Sequence, residues 1–472
     1  GKILAVTGAS PGFHCTAQKT LESHDIVQRA ANYLYYMNDL RPAEPSILKN
    51  GDADIQSQTL SAVPLKLVMF DLSIYGHHPA YIRYLIAYSQ KHCLAVDLRI
   101  VVLPDFFRVH ADVIALADNI SNAHFVSITP AEAATLSPRN SGINRNRRNL
   151  QEWKLFQRYA LALQADRCLM LYFDTCLLPL ATGKSFPCPF SGIYFRPTFH
   201  YSTFEPAVTS KRSLKANLQI WREKFFLRRT LQHPQMQTLF SLDPLAVQSL
   251  QQLCPSANIV SLPDPVDVQT TAVDAASLRQ TLGIEAERQI FLLFGAITER
   301  KGVFKLLGAV ALLPVDQCDR LCIALVGEAN LTVQAKLQAQ IDIIQLTHPV
   351  QFVTNFEYVD EAEVSAYFHL ADVVLAPYQR HVGMSGILLQ AAAAQKPVLG
   401  SDYGLMGEIT RRYQLGIAVD STQQEAIAHG ISEFLTQDQS MLYSPHLAVE
   451  FAKENSSERF AQAIWSEVLA HV

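Results

Sequence analysis

No apolar stretch of this sequence runs uninterrupted for the about 20 residues that a membrane-crossing helix requires. The apolar start after Lys2 breaks at Gly8–Gly12, too early for the core of a secretory signal, and the chain reads as a cytoplasmic protein. Neither sign of charge dominates: 39 Lys and Arg stand against 43 Asp and Glu, a net charge of −4. That balance argues against a polyanion-binding surface as a whole, and no nucleic-acid partner is expected. The eight cysteines (Cys15, Cys93, Cys168, Cys176, Cys188, Cys254, Cys318 and Cys322) are scattered, and only Cys318 and Cys322 lie close together in sequence. With no His or Cys pair following at zinc spacing, they read as buried, reduced thiols in a reducing compartment, not as a disulfide framework or a zinc site. The only Asp-x-Asp, Asp52–Asp54, lies in a polar stretch and is assigned no role, so no metal site is expected.

What is present is length and apolar content. A chain of 472 residues, 49% of them hydrophobic, is too long for one ordinary core and predicts two or three domains. Residues 1–63 read as an N-terminal appendage: a short strand at Lys2–Val6, a turn at Gly8–Gly12, a helix within Thr20–Asp39 and a polar linker at Lys49–Gln58. The turn superficially matches a dinucleotide loop, but His14 stands where a third glycine would be wanted, and no cofactor is expected.

From residue 64 the pattern is α/β. Strand-length apolar runs at Leu65–Phe70, Leu98–Leu103, Phe125–Ile128, Cys168–Phe173 and Gly192–Phe195 are interspersed with helical periodicity at Ala80–Lys91 and Asn149–Gln164. The second half repeats it: strands at Ile290–Phe294, Leu321–Val326, Val350–Val353, Val373–Ala376 and Pro397–Gly400, helices at Val303–Leu312, Leu331–Ile344, Glu361–Leu370, Ser385–Ala394 and Gln423–Leu435. Alternation of this kind implies parallel sheets covered on both faces. The two prolines of Leu262–Asp267 mark a stiff connector. The expected divisions are 64–264 for an acceptor-side Rossmann-like domain, 265–447 for a donor domain, and 448–472 for C-terminal helices returning to the first domain. Two doubly wound domains place ligands in a central cleft at the carboxyl ends of their strands.

Two segments carry anion chemistry. In Phe294–Gly302 a buried strand ends at Gly295, and Arg300 and Lys301 precede Gly302 and a helix. A cation beside helix N-terminal amides suits a phosphate, although a solvated basic turn before a helix has the same composition. In His381–Gln390 a second glycine-bearing loop, Gly383–Met384–Ser385–Gly386, opens another helix. Two such junctions in one sheet can converge on one diphosphate, and their amides would stabilise the charge that develops on a departing nucleotide.

Residues 285–415 resemble the donor domain of glycosyltransferase family 4, the retaining GT-B glycosyltransferases. The likeness is carried by Gly295 to Gly302, by Ala371–Pro377, by Lys396–Val398 and by Ser401–Gly404, and it extends more loosely over 64–284 through Ser241–Pro244 and Leu262–Pro265. The resemblance implies a GT-B fold of two Rossmann-like domains facing a central cleft, metal-independent hexosyl transfer from a nucleotide-diphosphate sugar with retention, and a leaving phosphate that itself takes the acceptor proton. Onto this sequence it places Lys301 at the diphosphate, with Gly295 and Arg300 beside it, Gly383, Met384, Ser385 and Gly386 around sugar and phosphate, and Gln390 at the ribose. The chain also departs from the family, which has two glutamates eight positions apart where Val382 and Gln390 stand, and an arginine where Ala296 stands.

On the acceptor side, the loop through Tyr75, Gly76, His77 and His78 sits where the family places a glycine-rich loop facing the phosphates. Gly76 permits close backbone approach, and His77 and His78 are candidates for polar contact or proton transfer, or else structural histidines. His200 and Arg196 follow a strand that ends near the cleft, and Asp174 ends another, as a cleft residue or a helix cap. The expected site is therefore His77, His78 and His200 for acceptor chemistry, with Tyr75, Asp174 and Arg196 binding the acceptor.

Between Lys211 and Arg229 seven basic residues accompany one acid, Glu223, while Leu214, Leu218, Trp221 and Phe225 recur at helical spacing. This segment reads either as a domain helix with a solvated basic face or as peripheral contact with an anionic inner-membrane surface, which would suit a lipid-linked acceptor. The leading reading is a hexosyltransferase of polysaccharide or glycolipid biosynthesis, acting on a glycan or lipid-linked hydroxyl. The changed glutamate and arginine positions keep two alternatives open, a catalytically inactive GT-B scaffold and a sugar-nucleotide epimerase.

Overall fold

The computed structural model describes residues 64–74, 76–118, 122–195, 197–201, 214–265 and 275–470. The expected elements of residues 1–63, together with Tyr75 and Arg196, lie outside the described residues.

Two wholly parallel sheets organise the chain. The first holds β1 (Leu65–Phe70), β2 (Val96–Val102), β3 (Ala123–Ser127), β4 (Arg167–Met170), β5 (Phe190–Tyr194), β6 (Met236–Ser241) and β7 (Asn258–Ser261), in the order β3-β2-β1-β4-β5-β6-β7. The second holds β8 (Gln289–Phe294), β9 (Leu321–Val326), β10 (Gln351–Asn355), β11 (Val373–Ala376), β12 (Val398–Ser401) and β13 (Gly416–Val419), in the order β10-β9-β8-β11-β12-β13. Strands buried on both faces explain the continuous apolar runs. Along β1, Leu67 and Met69 enter one core while Val68 and Phe70 enter the other, and along β8 Ile290 and Leu292 oppose Phe291 and Leu293 in the same way. Strand order reverses between β1 and β4 and again between β8 and β11, and those two switch points are where the loops leave open space for a ligand.

Five helices matter for the site: α1 (His78–Lys91), α2 (Leu214–Leu231), α3 (Val303–Val310), α4 (Gly386–Ala393) and α5 (Ser457–Leu469). The last of them lies on the first sheet's side. Its Phe460, Ile464, Trp465 and Val468 share a core with Tyr81 and Leu85 of α1, and the Trp465 indole N–H donates to the Leu85 carbonyl at 3.1 Å.

Several expectations needed adjustment. The helix expected to start at Asn149 begins at Gly142, where Ser141 caps it by accepting from the Asn144 N–H. Its Arg148, and Arg139 just before the helix, both pair with Glu152, a buried carboxylate. Ser241–Pro244 is the turn from β6 into the helix Pro244–Leu253, with Asp243 as its cap, accepting from the Leu245 N–H. The helix α2 packs through Leu227, Thr230 and Leu231, so Leu218, Trp221 and Phe225 face outward, Trp221 stacked on Phe225. Glu223, the single acid of the basic segment, turns inward and accepts from the Thr198 N–H at 2.7 Å. Six of the seven described cysteines are buried; Cys93 is exposed.

Candidate functional site

The loop after β8 owes its shape to two left-handed glycines. Gly295 has φ +88°, and a Cβ there would stand 2.6 Å from the Lys301 Nζ; Gly302 has φ +77°, and a Cβ there would meet the Pro377 carbonyl oxygen at 2.0 Å. The left-handed backbone favours glycine at both positions, and at Gly302 the Pro377 carbonyl leaves room for nothing else; the turn brings the Lys301 ammonium back over the strand end, where it donates to the Phe294 carbonyl. Lys301 is only 7% exposed. Burial, reinforced by the neighbouring Arg300 charge, pulls its pKa down to about 8. Both cations lie over the Tyr378 ring, at 5.5 Å for Lys301 and 5.8 Å for Arg300.

The loop after β11 is tied to this one. The Gln379 N–H donates to the Arg300 carbonyl at 2.8 Å, and the Gln379 side chain reaches the Pro377 and Ser421 carbonyls. The Arg300 guanidinium lies 2.9 Å from His381 Nδ1. Because arginine only donates, Nδ1 must accept, which places the imidazole proton on Nε2, directed at the Met384 carbonyl 3.3 Å away. A neutral His381 thus orients Arg300. Ser385 then caps α4 without its side chain closing the first turn; its hydroxyl instead reaches the Tyr378 hydroxyl at 3.4 Å, leaving the first amides of α4 without a side-chain cap.

From the first sheet come different materials. His78, at the start of α1, is buried, with Nδ1 2.7 Å from Asp71 and its ring stacked on Phe195. Asp174 accepts from the Phe195 N–H at 2.9 Å. His200 is buried and meets Asp243 at 3.0 Å. Its neighbour Tyr201 donates to the same carboxylate at 2.8 Å and accepts from the Gly383 N–H at 2.9 Å, so one hydroxyl joins the first sheet to the loop that opens α4. The Tyr201 ring fits against Gly404, where a Cβ would fall 2.3 Å from a ring carbon.

Between these walls lies a cavity of about 1050 Å³, large enough for a nucleotide sugar. Of the residues expected from the sequence, it is lined by Gly76, His77, Gly295, Arg300, Lys301, Gly383, Met384, Ser385, Gly386 and Gln390. His78, His200 and Asp174 do not line it: each is held behind the wall by the partner just described. Ala296 and Val382 line it too, as do six polar residues that sequence reasoning missed, Thr198, Asp264, Tyr378, Gln379, Arg380 and His381. Tyr378 and His381 lie within or next to segments already singled out. Only their pairing with residues near position 300 reveals a role, and no local pattern encodes it.

Residues 274–453 match the family described as Glycosyl transferases group 1. No curated protein sequence matches the chain. Among solved structures, sucrose-phosphate synthase from Thermosynechococcus elongatus is similar at TM-score 0.62 and 14% identity, over 86% of this chain and 100% of that one. HepE from Anabaena, in complex with UDP and glucose, is similar at TM-score 0.59 and 14% identity over the same shares. WaaG, a glycosyltransferase involved in lipopolysaccharide biosynthesis, is similar at TM-score 0.56 and 16% identity, again over 86% of this chain and 100% of that one. Residues 274–453 are thus similar to the glycosyl transferases group 1 family, and the two sheets of the chain share the GT-B fold of these neighbours.

Proposed function

We propose that the protein moves a hexose from a nucleotide-diphosphate sugar to a hydroxyl of a glycan or lipid-linked acceptor, with retention of configuration and without a metal ion. The observation that carries this reading is the convergence of two switch-point loops, Gly295–Lys301 and Gly383–Gly386, on one wall of a single cavity. Lys301 and Arg300 bind the diphosphate, and the amides at the start of α4 stabilise its charge as the glycosidic bond breaks. Gln390, on the cavity side of α4, holds the ribose. His77 meets the incoming acceptor, and His78 and His200 hold the wall on which it sits. That the structurally similar HepE was solved with UDP and glucose supports a donor of this class. The outward face of α2, where Trp221 stacks on Phe225 among Arg222, Lys224, Arg228 and Arg229, suits an anionic membrane surface and so a lipid-linked acceptor.

Val382 favours a second reading. An apolar side chain lines the cavity next to the sugar loop, as would suit a scaffold that binds a sugar nucleotide without turning it over. A panel of sugar nucleotides, incubated with purified protein and followed by NMR, separates the two. Transfer or slow donor hydrolysis establishes the enzyme; saturable binding with no turnover across the panel establishes the scaffold; absence of UDP and GDP binding removes both.

A further inference from the structure

The charges around the cavity are unevenly placed. Arg300, Lys301 and Arg380 line it from the second sheet. Among the described residues that line it, Asp264 is the single carboxylate, and it comes from the segment that leaves β7. A sugar nucleotide needs both kinds of group. Cations meet its phosphates, but the hydroxyls of its sugar are donors and are best met by an acceptor-only oxygen.

Asp264 is built for such a contact. Its backbone is held where Leu262 enters the first core, and its N–H donates to Asn455 Oδ1 at 3.4 Å. Its Oδ1 accepts from the hydroxyl of Tyr81, a fully buried side chain of α1, so the carboxylate is fixed in one orientation. Among the described residues Tyr81 is the one side chain that hydrogen-bonds this carboxylate, which leaves Oδ2 for a donor from the cavity. His77, which stacks on Tyr81 with ring centroids 6.2 Å apart, lines the cavity beside it. Burial drives the Asp264 pKa upward, while the His77 charge and the Tyr81 hydroxyl work in the opposite direction and favour the carboxylate.

We propose that Asp264 accepts a hydrogen bond from a hydroxyl of the sugar that a nucleoside diphosphate carries into the cleft, and so selects sugar-bearing nucleotides over bare diphosphates. The inference rests on the nucleotide-sugar reading of the same cavity and adds a residue that neither glycine loop supplies.

The test compares the affinities of UDP with UDP-glucose and of GDP with GDP-mannose by calorimetry, in the unaltered protein, in Asp264→Asn and in Tyr81→Phe. Removing a charged acceptor from a buried hydroxyl costs roughly 10- to 100-fold in affinity. Asp264→Asn is therefore expected to weaken the sugar nucleotide by at least about tenfold while the bare diphosphate stays within about twofold. Tyr81→Phe keeps the carboxylate and retains most of the sugar's contribution; a loss there equal to that of Asp264→Asn would mean that the pair only shapes the wall, and would overturn the proposal. An Asp264→Asn variant whose UDP and UDP-glucose affinities fall together, or do not change, overturns it as well. If the unaltered protein binds the bare diphosphates but gains nothing from the sugar, this inference fails alone. If it binds neither diphosphate, the nucleotide-sugar reading fails and takes the inference with it.

Discussion

The two walls of the cleft are made in different ways. The wall from the second sheet is built of contiguous pieces: a strand, a left-handed glycine, a cation and a helix start, used twice, with backbone amides and two cations aimed at one place. The wall from the first sheet is built of side-chain pairs, most of them distant in sequence: His200 and Tyr201 with Asp243, Tyr81 with Asp264, and the nearer His78 with Asp71. A phosphate has a fixed charge and geometry, so a backbone cradle with a cation suffices for it. Hydroxyl-bearing ligands are recognised by individually placed acceptors and donors, and each of those must be anchored from behind.

If that division is right, the largest effect on diphosphate affinity comes from the cation. Lys301→Ala is expected to weaken UDP and GDP binding about 10- to 100-fold, the value of a charged hydrogen bond, with little change in thermal midpoint because a buried ammonium contributes little to folding. Retention of full affinity in that variant would break the site assignment. Gly295→Ala acts on the same ion indirectly: the added Cβ meets Lys301 Nζ at 2.6 Å on a backbone at φ +88°, and a loss of roughly tenfold is expected by calorimetry.

A pH profile sharpens the contrast further. Lys301 has its pKa lowered to about 8 in the unliganded protein, and bound phosphate favours the charged form. Below pH 8 the ammonium is already charged and affinity is flat. Above it, binding must take up a proton, so affinity falls by up to about tenfold per pH unit. Titrations between about pH 7 and 9 should show that slope in the unaltered protein and lose it in Lys301→Ala.

Tyr201→Phe tests the hydroxyl that joins Asp243 to the Gly383 loop. It removes a donor to Asp243 and the acceptor of the Gly383 N–H, so a stability loss of about 1–3 kcal/mol and faster amide exchange in the 380–386 segment are expected. Unchanged exchange there would mean that the loop holds itself. Gln390→Ala is the smallest step, a loss of about two- to tenfold for a neutral hydrogen bond to the ribose, read as a narrowed difference between UDP and its deoxyribose analogue.

The same division governs what the sequence discloses. The second-sheet wall was legible because Phe294–Gly302 and His381–Gln390 each carry their chemistry within about ten residues. Strands β1, β9 and β11 were legible end to end because they are apolar and central. Strands β7 and β13 escaped notice as four-residue edge strands, and β6 because Gln237, Thr238 and Ser241 interrupt its apolar pattern. The first-sheet wall was the harder part. His78 and His200 drew attention as histidines beside expected strand ends, but their carboxylate partners lie seven and 43 positions away, and only folding shows that both are buried. Asp264 sat unmarked in a connector for the same reason: its partner Tyr81 is 183 positions distant.

The placement of α5 bears on when the protein can become itself. Phe460, Ile464, Trp465 and Val468 complete a core whose other members, among them Leu67, Tyr81, Leu85 and Ile100, are made first. During synthesis the early sheet must wait, with one face uncovered, while the whole second sheet emerges and folds. The two halves of the cleft therefore mature in the reverse of their order along the chain: the wall from the second sheet can close on its own, and the wall from the first sheet is sealed only when α5 arrives.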